Sequence, residues 1–189
     1  MKTNLRSRAL GLLVFFLILS GACTPAEDGN LSREPASYSW ESARVGRVVD
    51  GDTLVLEDGR RLRLIGINAP EMGDQAEEFG REASERLKVL VEGRQVFLQK
   101  DVSETDQFGR LLRYIWLVDP EELDETAVRN WMVNALLVSE GFAQPYTFPP
   151  DVAYAELFLE LAREARADEV GLWAISPEGT TRGTPLDQL

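Results

Sequence analysis

Residues 48–71 read Val48-Val49-Asp50-Gly51-Asp52-Thr53-Leu54-Val55-Leu56-Glu57-Asp58-Gly59-Arg60-Arg61-Leu62-Arg63-Leu64-Ile65-Gly66-Ile67-Asn68-Ala69-Pro70-Glu71. β-Branched and aliphatic residues cluster on both sides of two Asp-Gly pairs, and Asp-Gly between such runs is a hairpin signal. The stretch therefore predicts antiparallel strands over 44–49, 53–57 and 60–67. Side chains alternate along a strand, so Leu62 and Leu64 point one way and Arg61 and Arg63 the other.

Working outward, Asp74 with Glu77 forms a capping-box-like start. Phe79, Ala83, Leu87, Leu90 and Val91 then recur at helical spacing until Gly93 ends the run. Glu77/Arg81 and Glu82/Arg86 sit four apart on the solvent side. Residues 94–100 and 110–118 predict two more strands, the second with Leu112, Tyr114 and Trp116 alternating against Arg113, Ile115 and Leu117. A second helix is expected over 127–140 and a third over 152–169, burying Tyr154, Phe158, Leu161 and Ala165. Five strands interrupted by one helix and followed by two make an α+β plan. A strongly bent sheet of this length closes most economically into a five-stranded β-barrel of the OB type, giving a barrel with three α-helices.

The ends differ from this middle. Lys2, Arg6 and Arg8 precede an apolar run over 9–19 and then Ser20-Gly21-Ala22-Cys23. A charged start, a short apolar core and small residues predict a signal peptide over 1–22 and an exported protein. The run is too short to cross a bilayer as a helix, which takes about 20 residues. A lone cysteine behind such a core resembles a bacterial lipoprotein signal. Cys23 would then carry the lipid and residues 23–41, rich in Glu, Ser, Pro and Ala, would tether the domain to a membrane. The alternative is an ordinary signal peptide cut near Ala22, leaving a secreted or periplasmic protein. One cysteine allows no internal disulfide, so the domain over 42–176 must stand on its core. Residues 177–189, with Gly179, Gly183 and Pro185, read as a frayed, disordered tail.

The net charge is −12, and removing residues 1–22 strips three more cations. Such a surface repels polyanions at long range, although physiological salt confines that repulsion to about 8 Å. Arg60, Arg61, Arg63, Arg110 and Arg113 form a local basic group against it. With no histidine and one cysteine, zinc sites and histidine acid/base chemistry are excluded. What remains suits metal-assisted phosphodiester hydrolysis: carboxylates for a hard, oxygen-seeking cation such as Ca²⁺, a separate carboxylate to activate water, and guanidinium groups to grip a phosphate. Taken singly, Asp50-Gly51-Asp52 is a turn, Arg63 and Arg110 are surface arginines and Glu71 begins a loop. The reading rests on the set being brought to one rim.

Several motifs in order, Val-Val-Asp-Gly-Asp-Thr from Val48, Arg-Leu-Ile-Gly-Ile-Asn-Ala-Pro-Glu from Arg63, Asp-Gln-Phe-Gly-Arg from Asp106, Met-Val-Asn-Ala-Leu-Leu-Val-Ser-Glu-Gly from Met132 and Gly-Leu-Trp from Gly171, make the chain resemble the staphylococcal nuclease (thermonuclease) family over 45–173. The resemblance implies a five-stranded barrel with three helices and Ca²⁺-dependent cleavage of single-stranded or frayed DNA and RNA with little sequence preference, by a monomer. It places calcium ligands on Asp52, on Asn68, where the family has aspartate, and on the backbone oxygen of Ala69. It also places phosphate-binding arginines on Arg63 and Arg110, the general base on Glu71, and base-contacting rings on Phe108, Tyr146 and Phe148. Two other classes stay open: a barrel that binds nucleic acid or protein without cleaving, and a phosphodiesterase for small nucleotides, which repulsion of long polyanions would favour.

Overall fold

The computed structural model describes residues 40–120 and 123–181. Strand β1 (Trp40–Val48) is long because it serves two neighbours. Its first half pairs antiparallel with β5 (Gln95–Gln99), from Trp40 opposite Gln99 to Arg44 opposite Gln95. Its second half pairs with β2 (Thr53–Leu56), with Val48 opposite Leu54, and the register shifts between Val45 and Arg47. Such a bulge bends the strand, as closing a small barrel requires. β3 (Arg61–Leu64) continues antiparallel from β2, and β6 (Leu111–Trp116) joins it in parallel, closing the order β1-β2-β3-β6-β5.

Leu54, Leu62, Leu64 and Leu98 fill the interior, all essentially without exposure. The alternation read from the sequence holds in β3, where both leucines are buried while Arg61 is exposed and Arg63 only partly covered. It fails in β6, where Arg113 and Ile115 are as buried as Tyr114 and Trp116. The reason is that both faces of this strand are covered. Ile115 N–H donates to Asn134 Oδ1 at 3.0 Å from a helix outside the barrel, and the Asn134 amide donates to Ile65 O at 2.8 Å.

The helices depart from expectation at two places. The helix expected over 127–140 is two, α2 (Glu125–Trp131) and α3 (Val133–Ser139), so the described residues hold four α-helices and not three. Met132 between them is extended (φ −84°, ψ 118°), fully buried, and bridged to Trp116, while Leu117 N–H donates to Trp131 O. Its apolar side chain continued the helical pattern, so the break was invisible in the sequence. Helix α1 (Gly80–Val91) also starts later than Asp74. Asp74 lies in a separate short 3₁₀ turn, and Phe79 caps α1 without a side-chain bond. Arg86 bonds Glu140 beyond α3 at 2.5 and 2.6 Å and not Glu82 on its own helix.

Helix α4 (Ala155–Ala167) buries Phe158, Leu161 and Ala165 as expected. Two short strands, β4 (Ile67–Asn68) and β7 (Gln144–Pro145), pair beside the barrel. β1 starts two residues before the expected domain start at Ser42. Residues 177–181, expected to fray, are tied down: Thr181 N–H donates to Gln144 Oε1 at 3.1 Å, and the Gln144 amide donates to Glu178 O. Gly179 (φ +88°) lies on that amide, where an added Cβ would come within 2.3 Å of its atoms.

Candidate active site

The turn Asp50-Gly51-Asp52 leaves β1 and enters β2. Asp52 N–H donates to Asp50 Oδ1 at 3.1 Å, the local bond that makes aspartate a turn residue. Gly51 packs where an added Cβ would lie 2.5 Å from that of Ala69 and 2.9 Å from that of Ala83. Any side chain there would push the turn off the loop that follows β4. This close approach buries Asp52, whose carboxylate accepts Ala69 N–H at 2.9 Å on Oδ2 and the Thr53 hydroxyl at 3.1 Å on Oδ1. Burial pushes the Asp52 carboxyl up to about 7, the Arg63 charge opposing and Asp50 adding to the rise.

Arg63, on β3, reaches across this corner. Its Nη1 lies 2.8 Å from Asp52 Oδ2, its Nη2 donates to Asn68 Oδ1 at 2.9 Å, and Nη1 also donates to Leu64 O at 3.1 Å. The Asn68 amide in turn donates to Thr181 Oγ1, and that hydroxyl donates to Ala69 O at 3.3 Å. Asp52, Arg63, Asn68, Thr181 and Ala69 thus form a closed polar ring. Among the described residues no three acidic, His or Cys side chains converge, so a cation here would be held by Asp52 with the Asn68 amide oxygen and the Ala69 carbonyl. The set fits a hard cation: every donor is oxygen, and two of them already converge on one positive group, the Arg63 guanidinium.

Arg110 stands in the turn before β6. Burial would raise the Asp106 carboxyl, but the N–H of Arg110, its guanidinium and Phe108 N–H outweigh that and hold it below the ordinary range. The bonds run from Phe108 N (2.9 Å) and Arg110 N (3.0 Å) to Oδ1 and from Arg110 Nε (2.6 Å) to Oδ2. Arg110 Nη1 is 3.4 Å from Thr53 Oγ1, linking it to the Asp52 corner. The Arg110 guanidinium carbon sits 5.5 Å from the centre of the Phe108 ring. A cleft of about 590 Å³ runs between Arg63, Arg110, Phe108, Tyr146 and Phe148. Phe108 and Phe148 are 74% and 71% exposed, Tyr146 39%, an unusual outlay of apolar surface unless something flat covers it.

Of the residues singled out in the sequence, Asp52, Arg63, Asn68 and Ala69 meet directly. Arg110 joins them through Thr53, and the three rings line the same cleft as both arginines. Glu71 does not line it. It is exposed, and its main chain is held by Glu77, whose N–H donates to Glu71 O and whose carboxylate accepts Glu71 N–H, each near 3 Å. Cys23 lies outside the described residues. The basic group is less free than the sequence suggested: Arg60 pairs with Glu41 and Asp58, Arg63 with Asp52, Arg110 with Asp106 and Arg113 with Glu104. Each partner lies elsewhere in the chain or in a turn, so counting cations along a strand overstated the positive field. Asp106, Thr53 and Thr181 were missed. Asp106 and Thr53 stand in the quoted motifs, which gave them no role of their own, whereas nothing marked Thr181.

Comparison with known proteins gives the family. The family description "Staphylococcal nuclease homologue" matches residues 61–175. The chain is 32% identical over 152 residues to a thermonuclease of Staphylococcus intermedius, covering 77% of this chain and 84% of that one. It is 34% identical over 141 residues to a micrococcal nuclease of Shigella flexneri, covering 72% and 76%. It is 38% identical over 144 residues to Protein ParB of Escherichia coli, covering 74% and 77%. The family match spans the strands and loops that carry Arg63, Asn68, Glu71 and Arg110, and on these grounds the chain belongs to the staphylococcal nuclease family.

Proposed function

We propose that this protein is an exported, Ca²⁺-dependent nuclease that hydrolyses phosphodiester bonds of single-stranded or frayed DNA and RNA with little sequence preference. The observation that carries the reading is the Asp52–Arg63–Asn68 corner beside an aromatic cleft that also holds Arg110. Asp52, Asn68 Oδ1 and Ala69 O would hold the cation. Calcium bound there would neutralise a phosphate oxygen. The Arg63 and Arg110 guanidinium groups offer forked N–H donors to the phosphate oxygens as negative charge accumulates on them. Glu71 is assigned as the base that takes a proton from the attacking water. Two residues of chain put its Cα within about 7 Å of that of Ala69, and its exposed side chain is free to swing.

Phe108, Tyr146 and Phe148 would take unstacked bases on their faces, an interaction every base can make. That surface favours a polymer over a lone nucleotide. Export, and anchoring through a lipid on Cys23, rest on the charged and apolar start of the chain. The test is a substrate panel at fixed Ca²⁺: labelled single-stranded DNA, RNA, duplex DNA and a small aryl phosphodiester. The reading predicts that the single strands are cut fastest, with products of many lengths. Turnover of the small diester alone would support the small-nucleotide reading, and binding of DNA without cleavage the non-catalytic one.

A further inference from the structure

The hydrogen bonds around Asn68 have a fixed direction. Arg63 carries only donors, so the group it meets at 2.9 Å must be the Asn68 oxygen. The Asn68 nitrogen then points at Thr181 Oγ1, whose single hydrogen is directed to Ala69 O. Thr181 is itself fixed by its main chain on Gln144 Oε1 at 3.1 Å. Gln144 is buried and pairs in register with Asn68 across β4 and β7. The segment carrying Thr181 is therefore built onto the strand that carries Asn68.

This matters because position 68 bears an amide. A carboxylate presents an oxygen whichever way it turns, whereas an inverted amide would present N–H groups to a cation and repel it. In the structure Arg63 and Thr181 both enforce the orientation. A cation on Asp52 and Asn68 dispenses with Arg63's N–H groups there, and only Thr181 then selects the oxygen. We propose that Thr181 is a positioning residue that holds the Asn68 amide with its oxygen toward the cation site, a role that rests on the calcium reading above. It makes one hydroxyl from the last described turn of the chain part of the metal site's specificity. The opposite role is also chemically defined: the same hydroxyl, bonded to Ala69 O, could block that carbonyl and hinder the cation. The two roles predict opposite signs.

The experiment is calorimetric titration of the metal-free full chain with Ca²⁺, with no activity involved, for wild type, Thr181→Val, Thr181→Ser, Asn68→Asp and the Asn68→Asp/Thr181→Val double variant. Thr181→Val keeps the shape and removes the hydroxyl; it should weaken binding by about fivefold, the equilibrium worth of one hydrogen bond. Thr181→Ser should restore it to within about twofold. In the Asn68→Asp background Thr181→Val should no longer cause the fivefold loss, because a carboxylate has no N–H end to select against. Unchanged or tighter binding by Thr181→Val overturns the inference, as does an equal loss in both backgrounds. Absence of Ca²⁺ binding by wild type would remove the calcium reading and this inference together, whereas binding indifferent to Thr181→Val removes this inference alone.

Discussion

Asp106→Asn tests how Arg110 is held. The asparagine oxygen can still accept from Phe108 N and Arg110 N, but its NH₂ replaces the oxygen that receives Arg110 Nε at 2.6 Å, so a donor faces a donor. The pair is mostly buried, with side chains 23% and 16% exposed, so it is not discounted as a surface ion pair would be. One charge-assisted bond is worth about 1.5–3 kcal/mol, which in a domain of this size lowers Tm by about 5–10 °C. The Asp106 carboxyl sits below its ordinary 3.8, so its stabilisation is fully present above that pH and is lost as pH falls through the lower folded value. The gap in stability between wild type and Asp106→Asn should therefore be flat from pH 5 to 8 and shrink below about 4. With its anchor gone, the Arg110 guanidinium keeps only the long contact to Thr53 and the face of the Phe108 ring, and misplacement of a group that acts on the developing charge costs kcat about 10- to 100-fold. The assay is steady-state cleavage of labelled single-stranded DNA by wild type, Asp106→Asn, Arg110→Ala and the double variant. Because Asp106 acts through Arg110, the double variant should be no slower than Arg110→Ala. Full kcat in Asp106→Asn, or losses that add in the double variant, would refute the reasoning.

Asn68→Asp adds a charged ligand and removes the orientation problem, so it should tighten Ca²⁺ binding and lower the concentration needed for half-maximal cleavage. An unchanged or weaker dependence in an activity titration would mean that position 68 is not a ligand. Cys23→Ser should move the protein from the membrane fraction of intact cells to soluble or unprocessed forms. Wild-type protein found wholly soluble with an unmodified thiol would remove the lipid anchor and leave the nuclease reading untouched.

The barrel was legible because strand alternation and Asp-Gly turns are local signals: β3 keeps the alternation, and the two Asp-Gly pairs sit in the turns that join β1 to β2 and β2 to β3. β6 was less so, since Arg113 and Ile115 face covering elements that no local pattern announces. Helix α2 and α3 read as one because Met132 satisfies both a helical stripe and a buried extended bridge, and tertiary pairing with Trp116 decides between them. In the site, Asp52, Arg63, Asn68 and Arg110 stood out through ordered motifs. What holds them did not: Asp106 looked like an ordinary turn residue, and Thr181 sits in a Gly- and Pro-rich end whose composition predicts fraying. Its order comes from Gln144, far away in sequence, and contacts between distant residues leave no periodic trace.

The central claim is metal-assisted hydrolysis with Glu71 as the base. The most direct measurement is the rate of cleavage of labelled single-stranded DNA by purified wild type and Glu71→Gln, each with Ca²⁺ and with excess chelator. Wild type should cut with Ca²⁺ and stop with chelator, and Glu71→Gln should be slower by about 10²- to 10⁴-fold while still binding Ca²⁺. Equal rates for the two proteins, or wild-type cleavage that survives chelation, would contradict the account.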